Sequence, residues 1–417
     1  MVARFWTWFA ALGLATACAV PVSWAAAAPS VLSLNAALAT ALRHNPGLAA
    51  ARHALGVAHG RARQAGLYPN PRIAIGASMG AAFGDPGDYG AHILVTQALP
   101  LGSRLRLRAH AARVGAQVVQ DRRQAQIWAL KARVGQEYLA LAVAQKAVAM
   151  TARAVAMNRV FARGAKARYR AAQASILDVD AARYALNRVR LIAARWRMRR
   201  HRLRARLVQT LGQAPKRPWI VAIPHFPAHV APTSIAKVWR HSPDAIAAEQ
   251  EIVYARAVRR WQQARVFGPV TVGVGIGMSR TIITGAPPQP VNHAALFSLK
   301  IPLPLWNRHQ GDRQAANARL SEAQASRDAL LWRMRQSLRR TRENLRFWQQ
   351  RLRRDRQLQM RMARDIRIAL RGYGLGQVQA ATVLTLLADQ ARLTQDSLRA
   401  SSKELAAHWT WIMVVTK

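Results

Sequence analysis

The motif LPLGSR at residues 99–104 returns as LPLWNR at residues 303–308, an offset of 204 positions. The same offset relates a second set of residues, namely Tyr169 with Gln173 and Tyr373 with Gln377. Self-similarity at a fixed spacing decides the architecture before any local motif does, because each copy folds as one structural unit. The sequence therefore predicts two tandem repeats.

A proline-rich segment separates the two copies. Residues 213–232 contain five prolines, and proline cannot continue a helix. We therefore predict a first repeat over residues 29–212, a linker over 213–232 and a second repeat over 233–417. His44-Asn45-Pro46 recurs as His241-Ser242-Pro243 near the start of each repeat, where the proline ends one short helix and begins the next.

Two strands follow the short helices in each repeat. In the second repeat Val270, Val272, Val274, Ile276 and Met278 alternate with threonine and glycine, so one face is apolar and the other small. The strands are predicted at about residues 71–80, 89–99, 269–279 and 292–303, and glycine- and proline-rich loops join them as hairpins. Taken alone, they fit a transmembrane β-barrel and a hairpin with one buried face equally well.

Each repeat ends in a long helical hairpin, predicted over about residues 103–211 and 308–411. Proline is absent from about residue 103 to 163 and from about 308 to 371, so each first helix can run unbroken. A helix of about 60 residues spans roughly 90 Å at 1.5 Å per residue. Helices of this length must pack side by side as a coiled array, because no compact core can cover them.

Four strands cannot close a barrel, and open strand edges are not tolerated in lipid. Several chains would therefore have to share one barrel. Three chains would supply twelve strands, which lies within the range known for outer-membrane barrels.

The N-terminal segment has the features of a secretory signal peptide. Residues 1–28 contain Arg4, a short apolar stretch and small residues suited to cleavage. Cys18, the only cysteine, lies within this segment, and a lipid attachment there is an alternative to a discarded small residue.

The formal net charge is +45, from 63 Lys and Arg against 18 Asp and Glu. Such a charge is typical of nucleic-acid-binding proteins, but the export signal argues against that class. Arginine stays protonated where carboxylates become neutral, so the composition indicates an acidic habitat.

The sequence predicts neither an enzyme nor a cofactor or metal site. Carboxylates are few, and no nucleophile or phosphate-loop motif is recognisable. His225 and His229 are four residues apart, but Pro224 and Pro227 disfavour the helix that would bring their side chains together.

The chain resembles the TolC-like outer-membrane efflux proteins, especially the branch attached to heavy-metal exporters. The resemblance spans about residues 32–411, and the strings that carry it are LNAALA at 34–39, NPGL at 45–48, QAGLYPNP at 64–71, IPLPLWNRHQG at 301–311 and GYGLGQV at 372–378.

This resemblance implies a mainly α-helical fold with a membrane β-barrel portion. Three chains would form a twelve-stranded barrel in the bacterial outer membrane, continuous with a periplasmic α-helical barrel. The channel would be the passive exit duct of a tripartite efflux pump for metal cations or other small toxic solutes. Its partners would be two further chains, outer-membrane lipid, a periplasmic adaptor and an inner-membrane pump of the RND type, with no nucleic acid.

The resemblance also assigns two sets of residues. The adaptor would dock at the helical turns, represented by Tyr169, Ala172, Tyr373, Gly374, Leu375 and Gly376. The tunnel would be narrowest just beyond them, at Asp178, Asp180, Thr382 and Thr385. Threonine stands at both second-repeat positions where the family commonly has carboxylates.

Two other classes remain as alternatives. A periplasmic adaptor or structural protein would explain the helical hairpins but not four strands with barrel-like alternation. A basic nucleic-acid-binding protein would explain the charge but not the export signal.

Overall fold

The structure, a computed structural model, describes residues 30–79, 88–215, 219–226, 233–282, 286–287 and 289–415. The predicted signal peptide with Cys18 lies outside these residues, and so does His229. The helices are α1 (Leu34–His44), α2 (Pro46–Ala65), α3 (Arg104–Arg170), α4 (Ile176–Leu211), α5 (Ile235–His241), α6 (Pro243–Gln263), α7 (Gln310–Gly374) and α8 (Ala380–Val415). The strands are β1 (Ser30–Leu32), β2 (Arg72–Met79), β3 (Tyr89–Leu99), β4 (Trp219–Val221), β5 (Val270–Arg280) and β6 (Asn292–Lys300).

The duplication is visible in the order of elements. The first repeat runs α1, α2, β2, β3, α3 and α4, and the second runs α5, α6, β5, β6, α7 and α8. The fold is mainly helical with a smaller β portion, which confirms the predicted fold class. A single chain has an open sheet, so barrel closure is not visible in it.

Several boundaries differ from the predicted ones. The last strand ends at Lys300 rather than at residue 303, because Pro302 and Pro304 follow and proline has no N–H to donate to a ladder. The other predicted strands at 71–80 and 269–279 are observed at 72–79 and 270–280. The helical hairpins begin at residues 104 and 310 and end at 211 and 415, against predicted spans of 103–211 and 308–411.

Local capping explains where the helices begin. The Asn45 side chain accepts hydrogen bonds from the N–H groups of Gly47 and Leu48, and Pro46 occupies the first turn of α2, where its missing N–H has no cost. The same side chain donates from Nδ2 to the carbonyl of Thr210 at 2.8 Å. One residue therefore both starts α2 and ties it to the end of α4.

The linker contains a strand that the sequence did not predict. β4 pairs in parallel with β1, from Ser30 with Trp219 to Leu32 with Val221. The hydroxyl of Tyr138 donates to the carbonyl of Leu32 at 2.7 Å and accepts from the N–H of Ala222 at 3.2 Å, so it holds the ends of both strands. Burial raises the pKa of Tyr138, and the hydrogen bond from Ala222 opposes that shift.

The small sheet covers the largest hydrophobic core, which α1, α3, α4 and α8 share. Trp409 of α8 lies over Gly135 of α3, and its indole Nε1 donates to the carbonyl of Ala132 at 2.9 Å. A Cβ at Gly135 would overlap the indole ring. This glycine therefore allows α3 and α8 to approach closely.

The other four strands form one antiparallel sheet in the order β2-β3-β5-β6. The two hairpins meet where β3 pairs with β5, in a register that runs from Leu99 with Val270 to Tyr89 with Arg280. β2 pairs only with β3 and β6 pairs only with β5. The outer edge of each of these two strands therefore has no partner strand within the chain.

The two longest helices give the molecule its length. α3 has 67 residues and α7 has 65, so each spans roughly 100 Å at 1.5 Å per residue. Each packs along the shorter helix of its own hairpin, and α3 also contacts α2, α6 and α8. One stretch of α3 has a mean hydropathy of 1.3, enough to cross a membrane by length and composition, but core helices pass the same test and α3 packs against several helices.

Candidate functional surfaces: the helical tips and the four-stranded sheet

The two helical hairpins turn in the same way. At the first turn the N–H of Gln173 donates to the carbonyl of Arg168 at 2.8 Å, and that of Ala172 to Tyr169 at 3.0 Å. At the second, Gln377 donates to Gly372 at 2.9 Å and Gly376 to Tyr373 at 3.2 Å. Both pairs of bonds make a Schellman motif, in which the last helical carbonyls are satisfied by the residues that follow.

A Schellman motif places the residue after the C-cap in the left-handed region. That residue is Ala172 in the first turn, with φ of 57°, and Gly376 in the second, with φ of 81°. Glycine adopts this conformation freely, whereas alanine does so at a cost of roughly 1–2 kcal/mol. Gly374 does not meet this requirement, because it is the last residue of α7 and a Cβ there would lie in open space.

Arg168 joins the two turns. Its Nη1 donates to the carbonyl of Tyr373 at 2.8 Å and its Nη2 donates to the carbonyl of Gln173 at 3.2 Å. The guanidinium also lies 4.9 Å from the centre of the Tyr373 ring, a distance suited to a cation–π contact. Both turns therefore form one continuous surface at the end of the helices.

Tyr373 supports this surface from inside. Its side chain is 3% exposed, and its ring packs 5.1 Å from that of Phe161. The pKa of Tyr373 is raised by burial and by the nearby Asp178 carboxylate, while Arg168 lowers it. Although the sequence grouped Tyr373 with the docking residues, its ring is covered and cannot itself face a partner.

The exposed part of the tips is formed by the remaining predicted residues. Tyr169 is 46% exposed and Leu375 is 74% exposed, while Ala172, Gly374 and Gly376 are exposed between them. Each turn therefore exposes one large side chain next to small residues, and Arg170 adds a positive charge beside Tyr169. This is the part of the tips that a partner could contact.

The residues predicted to narrow the tunnel follow the turns. Asp178 accepts from the N–H of Ser175 at 3.3 Å and completes a capping box at the start of α4. Asp180 pairs with Arg183 at 3.3 Å. Thr382 and Thr385 of α8 are exposed, and the Thr385 hydroxyl donates to the carbonyl of Ala381 at 2.9 Å. The structure thus gives Asp178 a helix-capping role that the sequence prediction did not include.

The four-stranded sheet has one strongly apolar face. Along its paired rows Ile73 meets Val95, Val95 meets Val274, and Val274 meets Phe297. These side chains point away from the chain's own core, and Phe297 is 83% exposed. An uncovered apolar face of this extent marks a surface that contacts lipid or another protein.

Metal-ligating groups do not converge within the part of the chain that the structure describes. No three His, Cys, Asp or Glu side chains there are arranged to hold an ion. The candidate functional features of the described residues are therefore the apolar face of the sheet and the tips of the long helices.

Residues 37–213 match the family of outer membrane efflux proteins. The first half of the chain is therefore similar to this family. The matched region covers the first repeat, and the second repeat has the same order of elements. By its description, the family consists of efflux proteins of the outer membrane.

Solved structures of outer-membrane channels share the fold over most of their length. CusC, a transmembrane channel, superposes with a TM-score of 0.77 at 15% identity, over 92% of this chain and 91% of that one. VceC of Vibrio cholerae superposes with a TM-score of 0.73 at 19% identity, over 92% of this chain and 95% of that one. MtrE of Neisseria gonorrhoeae, in its open state, superposes with a TM-score of 0.71 at 16% identity, over 92% of this chain and 88% of that one. No curated protein matches the sequence.

Proposed function

We propose that the chain forms a trimeric duct through the outer membrane and serves as the exit channel of a tripartite efflux pump. The observation that carries this proposal is the four-stranded sheet with an exposed apolar face and two open edges. Unpaired backbone groups at such edges cannot lie in hydrocarbon, so β6 of one chain must pair with β2 of the next. Four strands from each of three chains then make a closed barrel of twelve strands.

The strand lengths suit a membrane. β3 and β5 have 11 residues each, or roughly 37 Å at about 3.4 Å per residue. At a tilt of about 45° this covers the apolar band of about 25 Å in outer-membrane barrels. The apolar residues face outward to lipid, which leaves the face of small and polar residues to line the lumen.

The helices would continue the duct into the periplasm. α3 and α7 begin a few residues after β3 and β6, so the helical tunnel hangs directly below the barrel. The tips lie at the far end, roughly 100 Å away. There they would dock a periplasmic adaptor, which links the channel to an inner-membrane pump of the RND type.

The duct is passive in this proposal, and the inner-membrane pump selects the cargo. The sequence resemblance to the branch attached to heavy-metal exporters supports metal cations or other small toxic solutes as cargo. The apolar sheet favours this function over a periplasmic adaptor or structural protein, since a water-soluble helical hairpin has no use for an exposed apolar face of four strands.

Purified protein in a planar lipid bilayer tests the duct directly. We expect stepwise conductance increases in potassium chloride that require the intact β-sheet. A matched variant with Ile75→Asp and Phe297→Asp, which places charges on the lipid-facing side, should insert poorly, because a charge in hydrocarbon costs several kcal/mol. Wild-type protein that inserts without any conductance would contradict the proposal.

A further inference from the structure

The face of the sheet opposite the apolar one carries only positive or neutral side chains. Its members are the alternate residues of each strand, and they are mostly glycine, alanine, serine and threonine. The ionisable ones are Arg72 on β2, His92 on β3 and Lys300 on β6. No Asp or Glu occurs anywhere in the four strands, all of whose residues are described.

Arg72 and Lys300 lie at the same end of the sheet. Arg72 is the first residue of β2 and Lys300 the last of β6, next to where the long helices begin. In the paired rows Arg72 is level with Ser298, two residues from Lys300. Both side chains are exposed on the face that carries the glycines.

Barrel closure would bring these charges together. Arg72 and Lys300 are on the two edge strands, so the seam between neighbouring chains places them on adjacent strands, and adjacent strands lie about 4.8 Å apart. That spacing is shorter than the Debye length of about 8 Å at physiological salt, so their fields add. Two charges from each of three chains form a ring of six at the junction of barrel and tunnel.

Nearby carboxylates do not neutralise this ring. Asp312, at the start of α7, is engaged by Arg265 at 3.4 Å and by His309 at 3.1 Å. Arg104, at the start of α3, adds a further positive charge, and its pKa is lowered by burial and by repulsion from Arg265. The potential at this end of the barrel is therefore positive.

The carboxylates at the opposite end of the tunnel do not offset this positive potential. Asp178 caps α4 and Asp180 pairs with Arg183, and the equivalent positions of the second repeat are Thr382 and Leu384, which carry no charge. They also lie roughly 100 Å from the barrel, many Debye lengths away.

We propose that the open channel selects for anions, with the ring of Arg72 and Lys300 as its selectivity determinant. This inference rests on the proposed function and specifies the class of solute that the duct favours. A ring of fixed cations around the lumen concentrates anions and repels cations. A metal exported through it would pass most readily as an oxyanion or an anionic complex, and free cations would pass against the field.

Reversal potentials across a planar bilayer with a potassium chloride gradient test the proposal. For the wild-type trimer we expect the dilute side to become negative, because chloride crosses faster than potassium. The double variant Arg72→Gln/Lys300→Gln should lose most of this potential, and Arg72→Glu/Lys300→Glu should reverse its sign. Both variants keep long polar side chains at exposed positions, and trimer bands on gels would establish that they fold.

Arg280→Gln is the matched control. Arg280 pairs with Tyr89 on the opposite face of the same sheet, so removal of its charge should leave the reversal potential unchanged. A wild-type channel that prefers potassium would overturn the inference, as would an anion preference that survives Arg72→Gln/Lys300→Gln. Those results would leave the duct itself intact, whereas the absence of any conductance would refute the proposed function and the inference together.

Discussion

Replacement of Gly376 with valine is expected to abolish efflux while leaving the trimer folded in the outer membrane. Gly376 has φ of 81°, which a β-branched residue adopts only at a cost above the roughly 1–2 kcal/mol of an ordinary side chain. The turn would open and displace Leu375 and the Tyr373 carbonyl that Arg168 holds. The substitution lies roughly 100 Å from the barrel, so membrane insertion should not change.

Two matched variants distinguish turn shape from simple loss of a small residue. Gly374→Val changes a neighbouring exposed glycine that lies in the helix with open space around it, so it should retain the turn. Ala172→Gly relieves the left-handed alanine of the first turn and should stabilise it by about 1 kcal/mol. Efflux is measured as tolerance to the pump's substrates, together with cross-linking of the adaptor to the tip. Normal tolerance and cross-linking in Gly376→Val would show that the turn does not contribute to docking.

Replacement of Gly135 with alanine is expected to destabilise the chain by about 1–3 kcal/mol, the usual cost of overpacking a core. The added methyl group would overlap the Trp409 ring, which is 5% exposed and anchored by its hydrogen bond to Ala132. Alanine normally stabilises a helix relative to glycine by up to about 1 kcal/mol. The energetic cost of the clash with Trp409 must therefore exceed this gain for the variant to be less stable.

Gly60→Ala is the control for that prediction. Gly60 lies in α2 with no atom within 4 Å of an added Cβ, so this variant should be neutral or more stable. The midpoint of thermal unfolding, followed by circular dichroism at 222 nm, compares the two. Equal midpoints for Gly135→Ala and Gly60→Ala would contradict the close packing of α3 on α8.

The long-range pattern of the sequence was sufficient to predict the architecture. The offset between Tyr169 and Tyr373 indicated two copies, and alternation from Val270 to Met278 indicated strands with an apolar face. Both signals are strong because they extend over many residues and follow the geometry of the backbone. The small sheet of β1 and β4 was missed, since three residues in a proline-rich segment are too few to show any period.

The geometry of the tips was less predictable. The glycines of the second turn indicated a chain reversal, but the need for positive φ falls on Gly376 and not on Gly374. The first turn carries no glycine, so nothing in its composition identified Ala172 as left-handed. The contact of Arg168 with Tyr373 joins residues 205 positions apart in sequence, and no local pattern specifies such a pair.

The number of chains in the detergent-solubilised complex tests the shared barrel most directly. Each chain supplies four strands with open edges at β2 and β6, so several copies must share the barrel, and three copies give the proposed twelve strands. Mass determination by light scattering or native mass spectrometry should give three copies of the processed chain, with heat converting the trimer to monomer. A monodisperse monomer that retains its β-sheet and conducts ions would contradict the account.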